Sequence, residues 1–594
     1  MLYFQLTFRI ILFSTSDISQ QRRKYKLENV VSTSVFYDLK NQIFDRNKWN
    51  SKVFSVYGYE AGAGKSRSAQ QYLAETEDRA LYVQRFSKDG ELDATAKRIN
   101  SLAGKEIAVA FTGEDTKKKR ARKRAIEART LCITHKMYSN ICRGDHQDLI
   151  ADRRILVIDE YPDLLEQISV TNNEIGQLWT EIFQYGFTET DDLASLLRDM
   201  ANKYSNDSEV LKNKEMVFVN FQSEKYDKYK EVIEQLLKKV GLSKRNEQKE
   251  LLFKFQQILN NGAYYYEGGF HTFDSTPKFA MLDCNIILDA NAEFDYRYSL
   301  STKFNVIKQP KIYDYSQAIF YHYDLNTSKK ALKNYINLTE KALERIDLKD
   351  SSGVLFVTEQ GQKEQVEKGI EAHFNDTLEG MQETLGIPIV TDYFGNLIGK
   401  NNYRKFNTVI VQKTPNFDYG TYALTNFFYK YHENLPIATI SIFKDEDIEK
   451  VRLSTISGEI YQAIRRIARN NTNIGDAKIH VFNSNQEVID TVLEQMPGIQ
   501  YHKCQIEVSK VGKEAGAKEQ GKEKKPSLTD KRIEEVKSIL TNLKQSGKSD
   551  ITKKEIRTQI GIKSSGNFTK LFDDLKPFLQ INQISIEGQK FIFN

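Results

Sequence analysis

The chain has 594 residues, 40% of them hydrophobic and 28% charged, with a net charge of +6. Several domains are expected, since a single core stops growing near roughly 250–300 residues, and the composition is that of a soluble globular protein. Four widely spaced cysteines without a Cys-x-x-Cys pair give no support to a zinc site or an iron–sulfur cluster and fit reduced cytosolic thiols.

The apolar start of the chain, residues 1–13, is shorter than the roughly 20 residues that a membrane span needs. It also lacks the positive n-region and the small-residue cleavage site of a signal peptide. We therefore expect a strand or an over-extended start site there, no membrane association and a cytoplasmic location.

A candidate phosphate-binding loop follows the run Val53–Tyr57, which predicts a buried strand, and precedes a predicted helix. Its expected nucleotide-binding residues are Gly62, Ala63, Gly64, Lys65 and Ser66. Lys65 would reach the β- and γ-phosphates, and the Ser66 hydroxyl would bind Mg²⁺. The usual first glycine is replaced by Tyr59, with Gly58 one place early. A glycine-rich turn without function is the alternative.

Two later strands are predicted to end in polar residues. One ends in Thr134 and His135, and the apolar run from Ile155 ends in Asp159 and Glu160. The carboxyl ends of parallel strands face the nucleotide crevice. There Asp159 would hold Mg²⁺ through water, and Glu160 would polarise the attacking water as a general base. A solvated acidic turn is the alternative for this pair.

In this order, the phosphate loop, the Thr-His strand and Asp-Glu-Tyr-Pro resemble the first RecA-type domain of superfamily 2 helicases, the DEAD/DEAH-box-like enzymes. Segments 285–292, 354–361 and 395–401 resemble the third motif, the opening of the second domain and the fifth motif, with Asn291 replacing a threonine. The resemblance implies ATP and Mg²⁺ as cofactors and makes Thr134 and His135 candidates for nucleic-acid contacts.

Gln462, Arg466 and Arg469 resemble the sixth motif, Gln-x-x-Gly-Arg-x-x-Arg, with Arg465 in place of the glycine. On a helix these three positions share one face, because they are four and three residues apart. The resemblance implies that this face points at the γ-phosphate, where arginine fingers contribute on the order of 10³–10⁵ in rate. A solvated or acid-paired helix face is the alternative.

The first domain is predicted to span 1–305, with a helical insertion at about 164–270, and the second to span 306–505. Within the insertion, aromatic residues between Ala263 and Phe273 predict a β-hairpin with buried rings rather than a surface for base stacking. A basic run at 117–124 is either a solvated helix face or a phosphate contact, with equal weight.

The end of the chain is basic, since residues 510–594 contain 18 Lys and Arg against 11 Asp and Glu, while the first 509 carry a net charge of about −1. A charged linker, 506–527, precedes three predicted helices and a hairpin at 528–594 that resemble a winged helix. A third helix stopped by Pro577 would place Lys563, Asn567 and Lys570 near DNA.

The predicted fold class is α/β, with two RecA-like parallel-sheet domains, a helical insertion and a small α+β winged-helix domain. The predicted function is an ATP-dependent nucleic-acid helicase or translocase that acts on DNA in replication, repair or a mobile-element process. Protein binding by the winged helix or the insertion stays open. The alternative functions are a phosphate-loop NTPase switch or assembly factor, and a DNA-binding replication or regulatory protein with a vestigial ATPase.

Overall fold

The computed structural model describes most of the chain as two compact units, 1–511 and 512–594, which are treated separately below. The described residues are 35–85, 90–241, 246–346, 348, 350–397, 402–469, 476–510, 528–560, 568 and 572–593. The expected strand or start site at 1–13 lies outside them. Among the described helices, none is both long and apolar enough to cross a membrane.

The first lobe is built on a seven-stranded, all-parallel sheet. Its strands, in spatial order, are Phe304–Ile307, Phe54–Tyr57, Cys284–Leu288, Ile155–Asp159, Ala80–Gln84, Thr130–Thr134 and Ala108–Ala110. Its helices are Tyr37–Phe44, Lys65–Glu75, Glu91–Ala103, Lys119–Glu127 and His135–Cys142. The strand Cys284–Leu288 is buried throughout, as in a parallel sheet covered on both faces. The edge strand continues to Ile307, beyond the predicted boundary at 305.

The second lobe is built on a six-stranded parallel sheet. Its strands, in spatial order, are Ile389–Tyr393, Val354–Thr358, Thr408–Val411, Lys478–Phe482, Ile319–Tyr323 and Gln500–Cys504. Its helices are Lys329–Leu332, Leu338–Leu343, Lys363–Phe374, Leu378–Leu385, Phe394–Leu397, Glu446–Ile464 and Gln486–Glu494. The two parallel sheets confirm the predicted pair of RecA-like domains.

The predicted linker begins later than expected. Ile506 and Val508 pack against the hydrophobic core of the second lobe, and Lys510 forms an antiparallel bridge with Tyr335. Partial burial of these two apolar side chains keeps 506–510 on the lobe. The remainder, 511–527, lies outside the described residues.

The insertion contains a sheet as well as helices. Its helices are Asn172–Gln177, Glu189–Asn206, Ser208–Asn213, Asp227–Gly241 and Asn246–Asn261. An antiparallel sheet has the strand order Ile440–Ser441, Glu215–Val219, Ala263–Tyr266, Gly269–Phe273 and Gln167–Thr171. The predicted hairpin and its buried rings are confirmed, since Tyr264, Tyr265 and Phe270 are at most 4% exposed. The insertion thus combines helices with strands, of which Gln167–Thr171 and Glu215–Val219 were not predicted.

One helix from the second half of the chain packs on the first lobe. This crossing helix, Tyr419–His432, follows a strand of the second lobe, yet its aromatic side chains share a core with the first sheet and the insertion. The ring of Phe273 lies 4.8 Å from that of Phe427 and 5.3 Å from that of Phe428. Just beyond the helix, the Ser301 hydroxyl donates to Glu433 at 2.5 Å. The predicted boundaries therefore do not describe how 419–432 pack.

In the described part of the C-terminal unit, the helices with assigned bounds are Leu528–Gln545, Lys553–Gln559 and Phe572–Ile581. Its antiparallel sheet has the strand order Asp550–Thr552, Lys590–Phe593 and Ile584–Glu587, one strand more than predicted. Pro577 does not end the third helix, because burial of Leu575 and Leu579 on either side outweighs the local helix-breaking preference. Lys563, Asn567 and Lys570 lie outside the described residues, so their predicted role stays a prediction.

Candidate active site

The phosphate loop joins a buried strand to a helix, as predicted. Gly62 and Gly64 have φ of +88° and +100°, in the left-handed region that a side chain would disfavour. Gly64 is also the N-cap of the helix Lys65–Glu75, so the helix N terminus and the Lys65 and Ser66 side chains point to the same loop. This arrangement suits an anion, because the first N–H groups of a helix have no partner within it.

Tyr59, the departure from the usual glycine, is a core residue. It is 2% exposed, and its ring stacks on Tyr57 at 5.7 Å and meets Phe36 edge-on at 4.6 Å. Its side chain therefore leaves the loop and packs beneath it. Gly58, one place earlier, is required by close approach, since a Cβ there would lie 2.9 Å from Cγ of Glu293.

The acidic pair lies at the carboxyl end of the strand Ile155–Asp159, next to the phosphate loop. Asp159 is hydrogen-bonded to the hydroxyl of Ser66 and accepts a hydrogen bond from Tyr82 at 3.2 Å. Burial raises the pKa of Asp159, and the charge of Lys65 opposes the shift. A hydroxyl and a carboxylate side by side are the oxygen ligands that Mg²⁺ prefers, so Ser66 and Asp159 fit a magnesium site.

Glu160 has a strained backbone and a positive environment. Its φ is +75°, and its N–H donates to the carbonyl of Leu288 at 3.0 Å. Burial favours its neutral form, but the charges of Lys65, Arg85 and Arg466 outweigh burial and hold the pKa of Glu160 below its ordinary value. The nearest of these cations is Arg85, whose guanidinium is 3.4 Å from the carboxylate. Glu160 is therefore ionised at neutral pH, as a general base must be.

Thr134 and His135 support the acidic pair. Thr134 caps the following helix, its hydroxyl accepting from the N–H of Met137 at 3.2 Å. Burial lowers the pKa of His135 to about 4, so the ring is neutral at neutral pH. Its Nε2 lies 2.9 Å from the carbonyl of Asp159, and because a carbonyl oxygen can only accept, Nε2 is the nitrogen that donates. The predicted contacts of these two residues with nucleic acid stay a prediction.

The second lobe contributes arginines from beyond the end of a helix. The helix Glu446–Ile464 ends before Arg466 and Arg469, and Ala468 has a φ of +48°. The predicted common helix face was therefore wrong for the arginines, although Gln462 does lie on the last turn. The tight turn nevertheless brings both arginines to one cavity, and Arg469 lies beside the phosphate loop, where a Cβ on Gly62 would be 3.4 Å from its Nε.

A cavity of about 500 Å³ lies between the lobes, within the size range of small-molecule sites. Its lining includes the predicted residues Gly62, Gly64, Lys65, Ser66, Asp159, Glu160, Gln462, Arg466 and Arg469. Ala63, the remaining loop residue, packs its methyl group against the hydrophobic cores on both sides. Burial, together with the charges of Arg466 and Arg465, lowers the pKa of Arg469 well below its ordinary value. A bound polyanion would relieve this crowding of buried cations.

The segment resembling the third motif also reaches the cavity. Asp289 and Ala290 line it, and Asp289 accepts hydrogen bonds from the Tyr298 hydroxyl at 2.8 Å and the N–H of Asn291 at 2.9 Å. Asn291 is 8% exposed and packs directly against Gly458 of the second lobe. The residue in the threonine position thus lies at the junction of the two lobes.

Four of the seven basic side chains at 117–124 pair with acidic neighbours. The pairs are Lys118–Asp115, Arg122–Asp148, Lys123–Glu127 and Arg124–Glu106. These pairs favour the solvated, acid-paired helix face over a phosphate contact.

Sequence reasoning missed several residues at this site. Arg85 and Arg404 line the cavity, while Glu60 and Arg465 are buried around the phosphate loop. For Glu60, the only local signal was a charged residue inside a glycine loop. For Arg465, it was an arginine in the glycine position of the sixth motif.

No protein-family model matches the chain, and no curated protein matches it in sequence. Solved structures do resemble it. Xpd4 of S. tokodaii is 13% identical, with a TM-score of 0.46 over 76% of this chain and 96% of that chain. Dbp5 of S. cerevisiae bound to RNA and ADP BeF3 is 9% identical, with a TM-score of 0.34 over 80% and 93%. The DUF1998 helicase MrfA bound to DNA is 10% identical, with a TM-score of 0.35 over 95% and 62%.

These similarities concern the fold alone. The predicted pair of parallel-sheet domains is confirmed by the topology of the two sheets.

Proposed function

We propose that this protein is an ATP-dependent nucleic-acid motor, a helicase or translocase, that acts on DNA in the cytoplasm. One observation carries the proposal. A single cavity joins the lysine-bearing loop and acidic pair of the first lobe to two guanidinium groups of the second. A nucleotide bound there would contact both lobes, so its hydrolysis would change their relative position.

The residues have complementary roles in this proposal. Lys65 and the loop N–H groups hold the phosphates, and Ser66 and Asp159 hold Mg²⁺, which neutralises charge on the transferred phosphoryl group. Glu160 accepts a proton from the attacking water. Arg466 and Arg469 stabilise the charge that develops in the transition state, and Gln462 helps to place the terminal phosphate.

DNA is proposed as the substrate because of the basic C-terminal region. The region 510–594 has an excess of seven positive charges over a nearly neutral remainder. The described helices and the small antiparallel sheet of residues 528–593 are compatible with the proposed winged helix, in which Lys563, Asn567 and Lys570 would contact DNA. A role in replication, repair or a mobile-element process is part of the same proposal.

The decisive experiment measures ATP turnover by the full chain with Mg²⁺ alone and with single-stranded DNA, duplex DNA or RNA. We expect stimulation by DNA and loss of turnover in Lys65→Ala. Turnover that no nucleic acid changes would support an NTPase switch or assembly factor instead. Absence of turnover, with Lys65→Ala fully active in cells, would support a DNA-binding protein with a vestigial ATPase. A forked duplex with a fluorophore and quencher then separates unwinding from translocation.

A further inference from the structure

The phosphate loop is fastened on one side to the segment that enters the second lobe. Glu60, inside the loop, is 2% exposed. Its carboxylate accepts hydrogen bonds from the N–H groups of Ile312 and Tyr313 and from the Tyr315 hydroxyl, the last at 2.8 Å. A buried carboxylate with several donors fixes both its own position and that of the backbone that carries it.

The next residue of the loop is held from the second lobe itself. Arg465 is 2% exposed, and its guanidinium donates to the carbonyl of Ala61 at 3.2 Å, across 404 positions of sequence. The same guanidinium lies over the rings of Tyr313 at 4.3 Å and Tyr315 at 5.4 Å. Such cation–π contacts favour arginine over lysine, because the flat and weakly hydrated guanidinium can lie over a ring while it donates a hydrogen bond.

We propose that Glu60, Ala61, Tyr313, Tyr315 and Arg465 form a phosphate-loop latch, in which Arg465 is a positioning residue that makes nucleotide affinity depend on contact between the lobes. The inference rests on the proposed function. Arg465 directly precedes Arg466, so closing the latch and presenting an arginine to the phosphate are parts of one movement. Opening of the lobes releases the Ala61 carbonyl and relaxes the loop whose left-handed glycines hold the phosphates.

The test uses the full chain with Arg465→Lys, titrated with a fluorescent N-methylanthraniloyl ATP analogue and assayed for turnover at saturation. We expect binding weaker by roughly ten- to a hundredfold, the loss typical of a hydrogen bond from a charged group, with a smaller effect on kcat. Arg153→Lys is the matched control. Arg153 is 5% exposed and donates to the carbonyls of Leu149, Ala80 and Ala125, away from the cavity. That variant should lose stability but not nucleotide affinity.

Glu60→Gln and Tyr315→Phe test the other half of the latch without touching the arginine. Both should weaken analogue binding, and Glu60→Gln combined with Arg465→Lys should be less than additive, because the two side chains act on adjacent loop residues. Affinity within twofold of the wild type in all three single variants, or strict additivity in the double variant, overturns the latch. If the wild-type chain itself does not bind the analogue, the proposed function fails and the latch fails with it.

Discussion

Gly458 and Asn291 approach each other so closely across the two lobes that a Cβ on the glycine would lie 2.8 Å from Nδ2 of the asparagine. Gly458 lies in the middle of the helix that leads to Arg466, and Asn291 lies two residues after Asp289, which lines the cavity. The helix can dock against the first lobe in this way because position 458 has no side chain.

Gly458→Ala should therefore impair closure of the lobes although alanine favours a helix. Overpacking costs about 1–3 kcal/mol, so we expect ATP turnover to fall by roughly five- to a hundredfold, while thermal unfolding changes less. Steady-state kinetics provide the measurement. Asn291→Ala added to Gly458→Ala removes the obstructing amide and should restore part of the turnover. If the double variant were no faster than Gly458→Ala alone, the close approach would not be the cause.

Glu160→Gln keeps the shape of the side chain but removes its charge. The proposed base is ionised and close to Lys65, Arg85 and Arg466. Because the variant removes a negative charge from beside these cations, it should bind the negatively charged ATP at least as tightly as the wild type. Turnover should drop by about 10²–10⁴, the usual contribution of a general base. Single-turnover kinetics with analogue titration separate the two effects. A variant that turned over at the wild-type rate would exclude the assigned role.

Replacing either arginine of the cavity should affect chemistry more than binding. Arg466→Ala and Arg469→Ala are each expected to lower kcat by about 10³–10⁵, the range found for arginine fingers. Arg452→Ala is the control, because Arg452 lies on the helix that precedes the two cavity arginines but pairs with Glu449 at 2.7 Å. Its kcat should stay within threefold of the wild type. If kcat fell by less than tenfold in both cavity variants, neither arginine would stabilise the transition state as proposed.

Acid should destabilise the second lobe through His480. This side chain is 3% exposed, stacks on Tyr321 at 4.6 Å and shares a hydrogen bond between its Nδ1 and the Tyr323 hydroxyl at 3.2 Å. Burial, followed by the charge of Lys478, lowers its pKa to about 3. The unfolded chain binds a proton at roughly pH 6.5 and below, so the stability associated with this histidine is lost as the pH falls from about 6.5 towards 3.

At pH 5 that loss amounts to about 2 kcal/mol. His480→Phe retains a stacked ring without a titrating group and should flatten the decline. Urea midpoints at pH 7.5 and pH 5.0, for the wild type and the variant, provide the comparison. Parallel shifts in the two proteins would show that another group is responsible.

The parts of the site that could be predicted were those encoded locally. An apolar run that ends in Thr134 or Asp159 predicts both a buried strand and the polar residue at its carboxyl end. Lys65 is equally local, because it directly follows the glycines of the loop. Arg466 and Arg469 were predicted to reach the cavity from one face of a helix. The helix in fact ends at Ile464, and the turn that follows it places the two arginines. A left-handed backbone at Ala468 has no signature in a single sequence.

The contacts that sequence reasoning missed join distant segments. Arg465 donates to a carbonyl 404 positions away. The strand Gln167–Thr171 alternates between exposed and buried residues, and it pairs with Gly269–Phe273 of the hairpin, which follows the helices of the insertion. Tyr59 raised doubt about the phosphate loop only because its burial beneath that loop depends on Phe36 and Tyr57. Such relations are set by tertiary packing, which overrides local preference.

Because of the crossing helix, the two halves of this protein cannot be produced as separate, stably folded fragments. A fragment cut at residue 305 would leave Phe273 and its aromatic neighbours facing water, and the complementary fragment would carry Phe427 and Phe428 with nothing to cover them. Each piece would be prone to aggregate. A chimaera that took the first lobe from this protein would therefore also need residues 419–432, although these lie within the second half of the sequence.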